Sequence, residues 1–185
     1  MLGLGVSLVN TSAPTSSPYT TFRTWDNDAS LVQTNGFQIL ASSWTDPDPT
    51  VSFETTALDG ETNYGKLVVN TTSTGGQWRD NTVQDNEGNG IDFSNFSVYR
   101  VQAKLYASLD SSRTEIRFHT SFGTTSQERF ENTLQDSTWT TIDVSGSLTG
   151  AVSGTHFYLW DFDIADNLPI AGEVYALKDV SLSLG

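Results

Sequence analysis

The feature that most constrains the fold of this chain is an alternation of apolar and polar residues with a period of two. From Tyr19 onward, short runs with this alternation are separated by clusters of Gly, Pro, Asn, Asp and Ser. Successive side chains of a strand point to opposite faces, so the pattern predicts β-strands with one buried face. No stretch of the sequence carries a sustained apolar stripe at the 3.6-residue period of an amphipathic helix.

The predicted strands follow one another at short, regular intervals. Turn signals such as Asp-Pro-Asp-Pro at 46–49 and Asp-Gly at 59–60 lie between most of them. This spacing predicts an all-β fold, an antiparallel β-sandwich of jelly-roll type over residues 19–185, with an extended N-terminal arm over residues 1–18. The strands are predicted at 19–25, 36–44, 50–58, 64–72, 76–84, 97–108, 113–121, 127–134, 139–146, 155–164 and 173–184.

Charge and composition narrow the classes of molecule that this chain is expected to bind. The 185 residues suit one domain, and 22 Asp and Glu against 9 Lys and Arg give a formal net charge of −13. A field of this sign repels nucleic acid and anionic membranes, so neither is expected as a partner. The chain has no cysteine, which excludes disulfides and cysteine-based metal or nucleophile sites.

The first 18 residues have a composition of their own. The apolar run over 2–9 has no basic residue before it and is interrupted by Gly3 and Gly5, so a signal peptide is not expected. A Thr/Ser/Pro-rich stretch then runs to Pro18. We predict an assembly arm that buries its apolar side chains on a neighbouring subunit, namely Leu2, Leu4, Val6, Leu8 and Val9.

An ordered set of short motifs covers roughly residues 63–185. They read "NYGKLVV", "IDFSNFSVYRVQAKLYAS", "STWTTIDVSG", "FYLWDFDI" and "EVYALKDVSLSL". In this order they resemble the jelly-roll carbohydrate-binding modules that occur beside glycanases. The resemblance implies the same fold, and it suggests sugar binding and a structural calcium ion. The last strand departs from the pattern because Lys178 precedes Asp179.

Two neighbouring predicted strands, 97–108 and 113–121, carry rows of polar side chains. The two strands are predicted to form a hairpin, so the rows share one sheet face and, with Arg129, make a basic island in an acidic chain. One interpretation is a solvated face laced by cross-strand ion pairs. The other is a polar groove that binds a sugar or a partner protein. The rows comprise Arg100, Gln102, Lys104 and Tyr106, and Arg113, Glu115, Arg117 and His119.

The second row also raises the question of catalysis. "SRTEIRFHT" at 112–120 resembles the Arg-Ser/Thr-Glu-aliphatic-Arg signature of alginate-lyase-type polysaccharide lyases. That family also uses a Gln-x-His strand and a Tyr-x-Lys-x-Gly strand, and neither His119 nor His156 stands in such a context. For glycoside hydrolysis, Glu128 and Glu131 would point to opposite faces of a strand. No enzyme activity is therefore predicted, and the lyase is the third hypothesis.

The remaining candidates for ligand or metal binding are tryptophans and acidic loops. Trp25, Trp44 and Trp78 lie near predicted strand ends, where an exposed ring could stack on a sugar, whereas Trp139 and Trp160 match core positions. No cofactor is required by the sequence. A structural calcium is compatible with the loops at 45–49, 58–63 and 84–90, although turns use the same residues.

Two functional hypotheses remain ahead of the lyase. The first is a non-enzymatic virion protein of a bacteriophage, a capsid decoration (cement) or a fibre or tail component. Its arm would contact other virion or self subunits in an oligomeric assembly, and its sandwich would contact host glycans. The opening "MLGLGVSLV" resembles the starts of small phage virion proteins. The second hypothesis is a carbohydrate-binding module of a secreted glycanase, which would place the chain outside the cell.

Overall fold

A computed structural model describes residues 18–33, 36–40, 49–72, 77–80, 83–122, 130–148, 156–161 and 168–185 of this protein. The predicted arm, apart from Pro18, lies outside these residues, as do Trp44, Glu128 and Arg129. The arm and its division from the sandwich therefore stay predictions. Neither of the two short 3-10 helices in the described part, Ala29–Val32 and Phe93–Asn95, is long and apolar enough to cross a membrane.

The described residues form eleven β-strands, and each overlaps one of the predicted segments. The alternation of apolar and polar residues therefore located every one of them. The strands are β1 (Thr20–Thr24), β2 (Gln38–Leu40), β3 (Thr50–Glu54), β4 (Tyr64–Val68), β5 (Gln77–Asp80), β6 (Val98–Ser108), β7 (Glu115–Phe122), β8 (Phe130–Gln135), β9 (Thr140–Ser147), β10 (Phe157–Asp161) and β11 (Val174–Leu184).

The strands form two sheets, which confirms the antiparallel β-sandwich of jelly-roll type. Sheet A has the order β3-β4-β11-β6-β9, with β1 paired to β11 beside this path. Sheet B has the order β2-β5-β10-β7-β8. All of these strand pairs are antiparallel. Each sheet therefore has one face toward the other sheet and one outer face.

The core lies between the sheets and is rich in aromatic side chains. Phe122 and Phe157 stack with ring centroids 5.3 Å apart, and Phe118 meets Trp160 edge to face at 5.9 Å. Offset and edge-to-face contacts of this kind add to the free energy gained by burying the rings. The largest fully buried side chains are Trp78, Trp160, Tyr175, Phe37, Phe93, Phe118, Phe122 and Phe157.

The structure corrects the predicted hairpin between 97–108 and 113–121. β6 pairs with β11 and β9 in sheet A, whereas β7 pairs with β10 and β8 in sheet B. The connection between them crosses from one sheet to the other. The two polar rows consequently lie on opposite outer faces of the sandwich and do not form one basic island.

Candidate functional site

The β6 row lies on the outer face of sheet A, where Arg100 and Gln102 are bonded to Asp143 on β9. Arg100 donates from Nε and Nη2 to the two oxygens of Asp143 at 2.7 and 2.6 Å, and Gln102 donates to the same carboxylate at 3.3 Å. The hydrogen bonds from Arg100 lower the pKa of Asp143. This part of the row thus matches the interpretation of a solvated, ion-paired face.

Lys104 lies directly opposite Lys178 on β11, and Glu61 neutralises both ammonium groups. The Glu61 carboxylate accepts from Lys104 at 2.6 Å and from Lys178 at 2.9 Å. Lys178 also donates to the carbonyl of Thr62 at 2.8 Å. Glu61 therefore clamps the loop at 58–63 onto the outer face of sheet A.

This clamp gives the loop a dependence on pH. Hydrogen bonds from Lys104 and Lys178 lower the pKa of Glu61 below its ordinary value of 4.5. The clamp is therefore intact above that value and is lost as the pH falls through the lower pKa of the folded protein. We expect the protection factors of the Leu58 and Glu61 amides, which are corrected for the intrinsic pH dependence of exchange, to fall in that acidic range. Glu61→Gln should give fast exchange at neutral pH, and equal protection in both proteins would contradict the clamp.

Of the three loops predicted to be compatible with calcium, 45–49 lies outside the described residues apart from Pro49, and each of the other two uses an acidic side chain in an ion pair or a turn. Glu61 in the loop at 58–63 is taken up by the two lysines. In the loop at 84–90, Asp85 accepts from the backbone of Glu87 at 3.0 Å and of Asn89 at 2.7 Å. Within the described residues no group of three His, Cys, Asp or Glu side chains is placed to hold a metal ion.

Tyr106 faces outward from sheet A as predicted, but it is only 5% exposed. Its ring lies 5.4 Å from that of Trp139, which also meets Tyr64 at 5.7 Å. Trp139 donates to the carbonyl of Leu58 at 2.8 Å, so the loop covers this small cluster. Tyr106 thus packs in this cluster and has almost no exposed surface for the ligand contact that was predicted for it.

Arg113 does not belong to the β7 row. It lies before β7 begins, and its guanidinium donates to Glu173, at 2.6 Å from Nε, and to the hydroxyl of Tyr175 at 3.0 Å. Glu173 also accepts from Tyr175 and from the backbone of Asp110 and Ile170. Burial, with the Glu173 carboxylate nearby, raises the pKa of the Tyr175 phenol. These residues fasten the crossover from sheet A to sheet B.

The rest of the β7 row lies on the outer face of sheet B. Glu115 and Arg117 are exposed there, opposite Gln135 and Thr133 of β8. The backbone of His119 pairs with that of Glu131, and the side chain of His119 is not among those that the structure describes. Because Arg113 turns to Glu173, the Arg-x-Glu-x-Arg signature does not present its three side chains to one cleft. This geometry gives the lyase hypothesis no support.

The outer face of sheet B also brings together residues that the sequence interpretation missed. Gln38 of β2 lies opposite Arg79 of β5, which lies opposite Tyr158 of β10. We call these three residues the sheet B row. The guanidinium of Arg79 lies 5.3 Å from the ring centre of Tyr158 and donates to the Tyr158 hydroxyl at 3.2 Å. The row continues at the backbone level to Ser121 of β7.

His156 flanks this row. Its ring lies 6.2 Å from that of Tyr158. Partial burial lowers the pKa of His156, and the nearby Arg79 cation lowers it further, so the imidazole is neutral at neutral pH. Its Nδ1 atom is buried and has no hydrogen-bond partner among the described residues. The row thus offers an amide, a cation and a phenol, and the flanking His156 adds a neutral imidazole.

The tryptophans predicted to stack on a sugar are buried where they are described. Trp78 is 0% exposed and lies opposite Trp160 in the core, which leaves its ring no exposed surface for the predicted stacking on a sugar. Trp25 is also buried and donates to Asp80 at 3.0 Å. Trp160 lies in the core as predicted, and Trp139 lies in the small outer cluster instead.

No model of a known protein family matches the sequence, and no curated protein matches it. Solved structures do match the fold. The arabinose-bound α-L-arabinofuranosidase MgGH51 aligns with a TM-score of 0.56 at 12% identity, over 95% of this chain and 28% of that one. The CBM22-1–GH10 modules of the Clostridium thermocellum xylanase 10B with xylohexaose align with a TM-score of 0.51 at 12% identity, over 85% and 28%.

The N-terminal tandem CBM22 domain of Paenibacillus barcinonensis Xyn10C aligns with a TM-score of 0.52 at 9% identity, over 93% of this chain and 47% of that one. The chain thus spans less than half the length of each of these three structures. The fold is the β-sandwich found in carbohydrate-binding modules. At these identities the likeness concerns the fold, because one fold hosts many functions.

Proposed function

We propose that this protein is a non-catalytic module that binds a neutral polysaccharide on the outer face of sheet B. The observation that carries the proposal is the sheet B row, in which Gln38, Arg79 and Tyr158 stand in register across three neighbouring strands. With Ser121 the row crosses four strands, a span of about 14 Å at the ordinary spacing between strands. An extended glycan laid across the strands would run along the row.

The chemistry of the row suits sugar hydroxyl groups. An amide offers both donors and acceptors, and a guanidinium offers donors in a fixed plane. The phenol of Tyr158 combines an apolar ring with a polar tip, although only 8% of the residue is exposed. We therefore assign most of the polar contact to Arg79 and Gln38, with Tyr158 holding the guanidinium in place.

Net charge favours a neutral glycan over an acidic one. The formal charge of −13 repels polyuronates such as alginate at long range. One of the similar structures was solved with the neutral oligosaccharide xylohexaose, which makes it the first ligand to test. The similar structures are glycanases and their binding modules, so they support the hypothesis of an extracellular module. The similar structures give the virion hypothesis no support, and the arm predicted for it lies, apart from Pro18, outside the described residues.

Replacing Arg79 with Ala is expected to weaken binding of xylohexaose at least about tenfold, because it removes the charged donor of the row. Isothermal titration calorimetry of the wild-type and variant proteins measures this. Lys66→Ala is the matched control, since it removes a cation from the outer face of sheet A, away from the row, and should leave affinity unchanged.

Two results would argue against the proposal. One is equal loss of affinity in Arg79→Ala and Lys66→Ala. The other is the absence of binding by the wild-type protein to xylohexaose and to a panel of soluble xylan, arabinoxylan, mannan and mixed-linkage glucan.

A further inference from the structure

The outer face of sheet A carries a depression of about 290 Å³. It lies over β6, β9 and β11, on the opposite side of the sandwich from the sheet B row. Its volume is at the lower end of the range for small-molecule sites, which fits one sugar ring. Its polar lining side chains are Gln102, Lys104, Thr141, Asp143, Asp179 and Ser181.

An irregularity in β11 lies beside the depression. The register between β11 and β6 shifts between Lys178 and Ser181, and Asp179 within the bulge has φ 52°. Aspartate tolerates this left-handed conformation better than most residues. A bulge bends its strand and re-aims the side chains beside it. Here it brings the carboxylate of Asp179 to the rim of the depression.

We propose that this depression is a second binding site, for the hydroxyl groups of a single neutral sugar residue. Its lining alternates hydrogen-bond acceptors with donors: the carboxylates of Asp143 and Asp179, the ammonium of Lys104 and the amide of Gln102. Adjacent hydroxyls of a sugar each donate and accept, so a lining with both kinds of group can bond both at once.

The lining side chains are held in place by contacts outside the depression. Arg100 fixes Asp143 through two hydrogen bonds, Glu61 fixes Lys104 at 2.6 Å, and Asn27 donates to Asp179. Groups that are already ordered lose less conformational entropy when a ligand binds. The ion pairs on this face therefore hold the lining side chains in position and also neutralise their charges.

The local charge disfavours ions of either sign. An anionic ligand would meet two carboxylates in a protein of formal charge −13. A cation would compete with the ammonium of Lys104, which lies 3.9 Å from the nearer oxygen of Asp179. A neutral, hydroxyl-rich ligand avoids both penalties.

Backbone amide shifts in ¹⁵N NMR spectra test this site separately from the sheet B row. The wild-type protein is titrated with the methyl glycosides of xylose, arabinose, glucose, mannose and galactose. At least one is expected to shift the amides of Gln102, Thr141 and Ser181. Those shifts should persist in Arg79→Ala, because the sheet B row lies on the other face.

Asp143→Asn should weaken that response about tenfold, as expected when a charged acceptor is lost. Glu54→Gln, which changes another carboxylate of sheet A away from the depression, should leave it unchanged. The second site is refuted if none of the five glycosides shifts the sheet A amides, or if Asp143→Asn binds as tightly as wild type. Shifts confined to the amides of Arg79 and Tyr158 would refute the second site and support the proposed function. Shifts confined to the amides of sheet A would support the second site and argue against the proposed function.

Discussion

Replacing Glu173 with Gln is expected to lower the free energy of unfolding by about 3–5 kcal/mol, the usual result of removing one partner of a buried ion pair. Glu173 is 0% exposed and accepts hydrogen bonds from Arg113, Tyr175 and two backbone amides. Glutamine keeps the shape of the side chain but leaves the guanidinium of Arg113 without its counter-charge. It also places an NH₂ group against donors that need an acceptor.

Urea denaturation of the two proteins measures this difference. Glu54→Gln is the matched control, because Glu54 pairs with Lys66 at 3.9 Å with both side chains 30% exposed. Its loss should change the free energy of unfolding by less than about 1 kcal/mol. A Glu173→Gln protein as stable as the Glu54→Gln protein would show that the buried network contributes little.

The position of Glu173 explains why this one carboxylate matters. It directly precedes β11 and is bonded to the segment between β6 and β7, through Asp110 and Arg113. It also accepts from Ile170 in its own connection. The crossover that separates the two polar rows is therefore fixed by a fully buried charge. Loss of the charge loosens the crossover and the start of β11 together.

The strands were predictable from sequence because alternation is a local signal. The outward and inward sides of β6 also followed from it: Val101 and Leu105 lie in the core, while Arg100 and Gln102 lie outside. The alternation carries no information on which strands pair. The connection between β6 and β7 could close a hairpin or cross between the sheets, and the local sequence pattern would be the same in both cases. The prediction of a hairpin was wrong.

For the candidate site, too, the sequence predicted which side of a strand faces outward but not which strands come together. The predicted binding residues were correctly assigned to outer faces at Arg100, Gln102, Lys104, Glu115 and Arg117. Arg79 and Tyr158 were missed because they come together only when β5 pairs with β10, between segments 79 residues apart. Tyr106 and Arg113 were misassigned because their burial depends on the loop at 58–63 and on Glu173, which are distant in sequence.

Trp78→Ala is expected to destabilise the protein by about 3–5 kcal/mol, the usual loss for a large aromatic side chain in a core. Trp78 lies between Ile39 of β2 and Trp160 of β10 in the pairing of sheet B and is 0% exposed. Its removal would leave a cavity directly beneath the sheet B row. A ring that stacked on a sugar would behave in the opposite way, with little effect on stability and a direct loss of binding.

Urea denaturation of Trp78→Ala and Trp78→Phe separates these two roles. Phenylalanine refills most of the cavity and removes an indole N–H that has no partner among the described residues, so it should be much less destabilising than alanine. Under conditions in which Trp78→Phe is folded, its affinity for xylohexaose should equal that of wild type. Wild-type stability in Trp78→Ala together with lost binding would instead return Trp78 to the ligand-binding surface. Burial in the core predicts instead a large loss of stability in Trp78→Ala and unchanged binding in folded Trp78→Phe, because Trp78 affects a ligand only by supporting the strands that carry the sheet B row.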